Sequence, residues 1–135
     1  MNIKIELDTA DFMIIYLILK RYDELIEERP QRNLDLVLLQ ETFGIITDQT
    51  KGQIQNIHTV RFELDILHFM VMYRFLMETN KGIDELMELE VDFSLFQDVF
   101  DKISEQLSRQ YNDQMGSELE KKRLVREALF DKNYN

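Results

Sequence analysis

Ile3-Lys4-Ile5-Glu6-Leu7-Asp8 alternates apolar and polar residues with a period of two, which predicts a short strand with one buried face. A helix is expected to follow at once. Asp8 or Thr9 stands at its N-cap, Phe12 to Leu19 is apolar on every side, and from Lys20 the pattern turns amphipathic. There Leu25 and Ile26 sit among Asp23, Glu24, Glu27 and Glu28, and Pro30 closes the helix. Asn33 is placed to cap a second, shorter helix through Leu34, Val37, Leu38 and Phe43, with Gly44 as its stop. The run Leu34–Leu39 also has the length of a buried strand, and Ile45–Lys51 reads as a connection.

Between residues 50 and 79 there is no proline, and the single glycine, Gly52, falls in the first turn. Ile54, Ile57, Arg61, Leu64, His68, Val71 and Phe75 recur at spacings of three and four, which predicts one long helix with a continuous stripe. Such a helix would be roughly 45 Å long, against roughly 37 Å for a domain of this size. It is therefore expected to span the domain, to project into a partner or to kink. Ile54, Ile57, Arg61, Leu64 and His68 form a candidate helix interface on it. Asn80-Lys81-Gly82 ends the segment.

Beyond it two readings stand side by side. Ile83, Leu86 and Met87 suit one side of a short helix, whereas Met87 to Phe93 alternates as a strand that would partner residues 3–7. Phe96, Val99, Phe100, Ile103, Leu107 and Tyr111 then predict a helix capped by Asp92 or Ser94. Gly116 is expected to break the chain, and Ser117 with Glu120 makes a capping box for a last helix before a frayed tail at 131–135. The fold class is therefore mainly α: a single-domain bundle of four or five helices over residues 1–135, around a long central helix, with room for a short N-terminal β-strand. Its core is expected to use Phe12, Ile15, Leu19, Leu64, Leu67, Val71, Phe75, Phe96, Val99, Ile103 and Leu107. One weak internal likeness is visible: Ile5–Asp8 leading into Phe12 and Tyr16, against Leu89–Asp92 leading into Phe96 and Phe100. Two strand–helix units would produce this, and so would chance in an acidic, apolar-rich chain.

Composition narrows the function more than the fold. The net charge of −10 disfavours direct contact with nucleic-acid phosphates or anionic lipid, and leaves a basic protein as a fitting partner. Cysteine is absent, so thiolate and disulfide chemistry are excluded. The longest apolar run, Phe12–Leu19, is far below the about 20 residues of a membrane span, so a soluble, cytoplasmic protein is expected.

Catalytic patterns are missing. His58 and His68 are the two histidines, and Ser94, Ser104, Ser108 and Ser117 stand at caps or polar helix positions with no strained turn to present them. Gly44, Gly52, Gly82 and Gly116 are isolated, so no phosphate-cradling loop forms. Asp65-Ile66-Leu67-His68 has the spacing of half a di-iron site, without a second half. No catalytic, cofactor or metal residue is assigned. Asp65 lies one turn before His68 and is expected to pair with it as a hydrogen-bonded core histidine, with a pH switch as the other reading; Asp65 is also in reach of Arg61.

Acidic residues are the one pattern suggestive of activity. Asp84, Glu85, Glu88, Glu90, Asp92, Asp98 and Asp101 follow one another without an intervening base. They form a candidate acidic interaction surface or a merely solvated face. The sequence thus favours a small acidic non-enzymatic protein that acts by docking on another protein, with homodimerisation as one outcome. The runner-up is an inhibitor imitating a nucleic acid in the basic groove of its target; a helical enzyme with a carboxylate pocket is the third reading.

Overall fold

Strand β1, Asn2–Asp8, pairs antiparallel with strand β2, Thr59–Asp65, in a register running from Asn2 opposite Asp65 to Asp8 opposite Thr59. The computed structural model describes residues 1–29, 33–53, 55, 58–80 and 92–134. Alternation sends Ile3, Ile5, Leu7, Val60, Phe62 and Leu64 to one buried face, and Lys4, Glu6 and Arg61 outward. A two-stranded ribbon is marginal alone. Here its apolar face is covered by helices α1, Thr9–Glu27, and α3, Ile66–Asn80, each of which starts where a strand ends. Phe12 of α1 meets Phe62 of β2 with ring centroids 6.0 Å apart. Helix α2, Leu34–Thr50, packs on α1, β2 and α3, and helix α4 spans Phe93–Tyr134. The protein is thus mainly helical, with a short two-stranded antiparallel sheet among the described residues.

Several sequence expectations need correction. Residues 50–79 are not one helix: α2 ends at Thr50, Gly52 turns the chain with φ +89°, and Thr59–Asp65 is strand. Thr59-Val60-Arg61-Phe62-Glu63-Leu64 alternates with β-branched and aromatic residues on its inner face, and that period of two overrode the spacing of three and four. Arg61 and Leu64, expected on one stripe, consequently point to opposite faces, Arg61 exposed and Leu64 buried. Ile54 and Ile57 lie outside the described residues, as does the ambiguous stretch 81–91. The partner of β1 is β2, not residues 87–93. Helix α2 does not stop at Gly44, because Leu39, Thr42, Ile46 and Thr50 carry its buried stripe onward. Nor does α4 break at Gly116; it is continuous to Tyr134. Leu67, placed in the core by its spacing, is 56% exposed.

The described chain divides into two compact units, Met1–Ile103 and Ser104–Asn135. The second is the remainder of α4, which exposes Tyr111 and Leu124 and carries a Glu105–Arg109 pair at 3.9 Å.

The architecture exposes a duplication within the chain. Residues 2–53 and 59–110 correspond without a gap at a constant separation of 57, and 16 of the 52 pairs are identical. Glu6-Leu7-Asp8 matches Glu63-Leu64-Asp65, Phe12-Met13 matches Phe69-Met70, and Tyr16 and Leu19 match Tyr73 and Leu76. In the later helices Leu38, Gln40, Phe43 and Ile46 match Leu95, Gln97, Phe100 and Ile103. The weaker likeness around Leu89–Asp92 is not the repeat. The geometry repeats as the residues do. Phe12–Tyr16 and Phe69–Tyr73 are both 5.9 Å apart, and Tyr16–Phe43 at 5.4 Å is mirrored by Tyr73–Phe100 at 5.1 Å. The Thr9 amide donates to the His58 carbonyl at 3.0 Å, and their counterparts, Ile66 and Met1, do the same at 3.1 Å. Ile5 faces its own counterpart Phe62 across the ribbon, and the Tyr22 hydroxyl bonds its counterpart Thr79 at 2.9 Å. Only residues beside a two-fold axis meet their own counterparts. The described elements of residues 1–103 therefore form two repeats, β1 with α1 and α2 and β2 with α3 and the start of α4, related by an approximate two-fold axis through the ribbon.

Candidate functional site

At the junction of β2 and α3, Asp65 accepts the His68 amide at 2.9 Å and so caps α3 with one carboxylate oxygen. Its other oxygen lies 2.6 Å from His68 Nδ1. The second ring nitrogen, Nε2, is 3.2 Å from the Glu41 carboxylate, which reaches across from α2. Both nitrogens thus face acceptors, an arrangement that only the doubly protonated ring satisfies. Burial pulls the His68 pKa down, but the bonds to Asp65 and Glu41 outweigh it and the net shift is upward. The His68 amide chiefly, helped by the ring, lowers the Asp65 pKa against a smaller upward pull from burial. Asp65 and His68 are paired as the spacing had suggested, but at a half-buried corner and with a third member, Glu41, that no local pattern announces. Arg61 does not pair with Asp65; it bonds Glu6, its cross-strand neighbour, at 3.0 Å.

The repeat places Asp8, Asp11, Asp98 and Lys102 at the positions of Asp65, His68, Glu41 and Ile45. The base there comes from the other helix: Lys102 Nζ bonds Asp11 at 2.6 Å. Its pKa is raised by that hydrogen bond first, and further by the charges of Asp11, Asp8 and Asp98. Two equivalent corners thus hold opposite charges together with different chemistry.

Gln49, in the last turn of α2, and Gln53, in the turn that follows it, stand beside the outer edge of β2. Gln49 donates to the Glu63 carbonyl at 2.8 Å and accepts its amide at 2.7 Å; Gln53 donates to the Arg61 carbonyl at 3.0 Å and accepts its amide at 2.9 Å. Two side-chain amides therefore occupy the backbone groups that a further strand would use. This edge is not a strand-docking site.

Apolar exposure is concentrated elsewhere. Leu67, Met70 and Met77 follow one another along α3 with Arg74 among them, and all are exposed. Arg74 bonds Asp35 of α2 at 2.8 Å, beside Leu34, which is 70% exposed, with exposed Val37 one turn further on. Of the candidate acidic surface, Asp92, Asp98 and Asp101 are exposed on or beside the first turns of α4; Asp84, Glu85, Glu88 and Glu90 lie outside the described residues. Among the described residues no cluster of side chains suited to a metal ion occurs, and no helix is long and apolar enough to cross a membrane. No family model, curated protein or solved structure matches the chain.

Proposed function

We propose that the protein is a non-enzymatic interaction module that docks on another protein through the exposed apolar residues of α2 and α3. The observation that carries this reading is the grouping of Leu34 and Val37 with Leu67, Met70 and Met77 on either side of the Asp35–Arg74 pair. Scattered exposed apolar residues need no explanation, but here five stand on two packed helices that an ion pair joins. Unbranched methionines adapt to a partner's contours. The protein acts in the cytoplasm, and a second copy is one partner it can take.

Paired charge-inserting and charge-reversing variants test it. Leu67→Glu with Met70→Glu should abolish capture of a salt-resistant partner, or dissociate a homodimer in light scattering, without changing the circular dichroism spectrum. Asp98→Lys with Asp101→Lys should leave both unchanged. The opposite result, with binding lost at high salt and on charge reversal alone, would favour the nucleic-acid-mimicking inhibitor through Asp92, Asp98 and Asp101.

A further inference from the structure

We propose that Asp65, His68 and Glu41 form a proton-operated latch that fastens α2 to the β2–α3 corner when His68 is charged and slackens when it is neutral. The geometry carries the proposal. A neutral imidazole has one N–H and one bare nitrogen, whereas His68 has a carboxylate on each side, 2.6 Å from Nδ1 and 3.2 Å from Nε2. On losing a proton the ring keeps at most one of these bonds. Asp65 is the better placed to retain it, being closer and already oriented by the His68 amide. Nε2 would then turn its lone pair towards the Glu41 carboxylate, and attraction across the helix pair would become repulsion.

The groups facing His68 are Asp65 at the end of β2 and Glu41 on α2. A further ion pair, Arg74–Asp35 at 2.8 Å, joins the same two helices nearer the start of α2. The loosened part of α2 is therefore the stretch from Glu41 to Gln49, where the hydrogen bonds to the Glu63 backbone hold the helix again. At the equivalent corner, between α1 and α4, Lys102 takes the histidine's part through its bond to Asp11 and stays charged across the neutral range, so that corner remains fastened. The latch is independent of which partner the protein docks on.

Histidine NMR and amide hydrogen exchange test this on the full chain, in a His58→Gln background so that the remaining imidazole signal is His68. The His68 ring should titrate above an ordinary histidine, and Glu41→Gln should move its midpoint down. Between about pH 5.5 and about pH 8.5, protection of amides 42–49, corrected for intrinsic exchange, should fall roughly three- to tenfold. Amides of α1 should keep theirs. His68→Lys, which imports the permanent charge of the other corner, should remove the pH dependence while leaving the protein folded. Two results overturn the proposal: a His68 midpoint indifferent to Glu41→Gln, or the same loss of α2 protection with pH in His68→Lys as in the parent.

Discussion

Phe12, Tyr16 and Phe43 in the first repeat and Phe69, Tyr73 and Phe100 in the second form the same aromatic ladder, with ring spacings that agree within a few tenths of an ångström. A short distance away, the polar corners of the two repeats have diverged: an aspartate, Asp11, stands where the second repeat has His68, and an isoleucine, Ile45, where it has Lys102. Interiors are close-packed, so a changed core residue must be answered by its neighbours. Surface corners carry no such obligation, and each has found its own way to put a cation between carboxylates. The duplication thus separates what packing dictates from what the surface leaves open.

If packing is shared, equivalent truncations should cost the same. Phe12→Ala and Phe69→Ala each remove a fully buried ring, 0% exposed in both cases, and each is expected to cost about 3–5 kcal/mol in urea unfolding. The two midpoints should nearly coincide. A large gap would mean that the two-fold relation holds for the backbone and not for the energetics.

The same comparison explains what could be read from the sequence. Strand β1, α1 and the start of α4 were legible because one period dominated each: Ile3, Ile5 and Leu7 alternate, while Phe96, Val99, Phe100 and Ile103 repeat as a helix does. Strand β2 was not, because Arg61, Leu64 and His68 satisfy helical spacing while Val60, Phe62 and Leu64 satisfy strand spacing. Comparison with residues 3–7 would have decided it, since Glu63-Leu64-Asp65 repeats Glu6-Leu7-Asp8. Of the candidate site, the Asp65–His68 pair was visible as a local spacing. Glu41 was not, for it arrives from a different element, and the exposed patch on α2 and α3 appears only once the buried faces of both helices are fixed.

Helix ends sharpen the contrast at intermediate cost. Position 52 is a glycine with φ +89° where α2 gives way to a turn; its counterpart is Arg109, inside the uninterrupted α4. A side chain at Gly52 is strained even though space is open around it, so Gly52→Ala should cost about 1 kcal/mol. Gly44 is the opposite case. It lies within α2, a Cβ there would meet nothing within 4 Å, and its counterpart is Asp101. Gly44→Ala should therefore stabilise by about 0.5–1 kcal/mol. Thermal unfolding of the two variants should shift in opposite directions, and a loss of stability in Gly44→Ala would show that α2 needs its glycine.

The smallest effect is the most informative about the corners. His68 has a raised pKa in the folded protein, so its contribution is complete below the unfolded value of about 6.5 and is lost as pH rises through the folded one. Asp65, with a lowered pKa, contributes fully above its ordinary value and loses that as pH falls through the folded one. This corner is therefore strongest in mildly acid solution. Glu41 is largely exposed, which discounts the pair to about half a kcal/mol. Glu41→Gln should accordingly lower the urea midpoint at about pH 5.5 and leave it nearly unchanged at about pH 8.5. Lys102→Met should lower it equally at both, because a lysine pKa raised still further by Asp11 keeps its charge throughout. Equal pH behaviour in the two variants would mean that having a histidine at one corner and a lysine at the other has no consequence for how α2 and α4 are held.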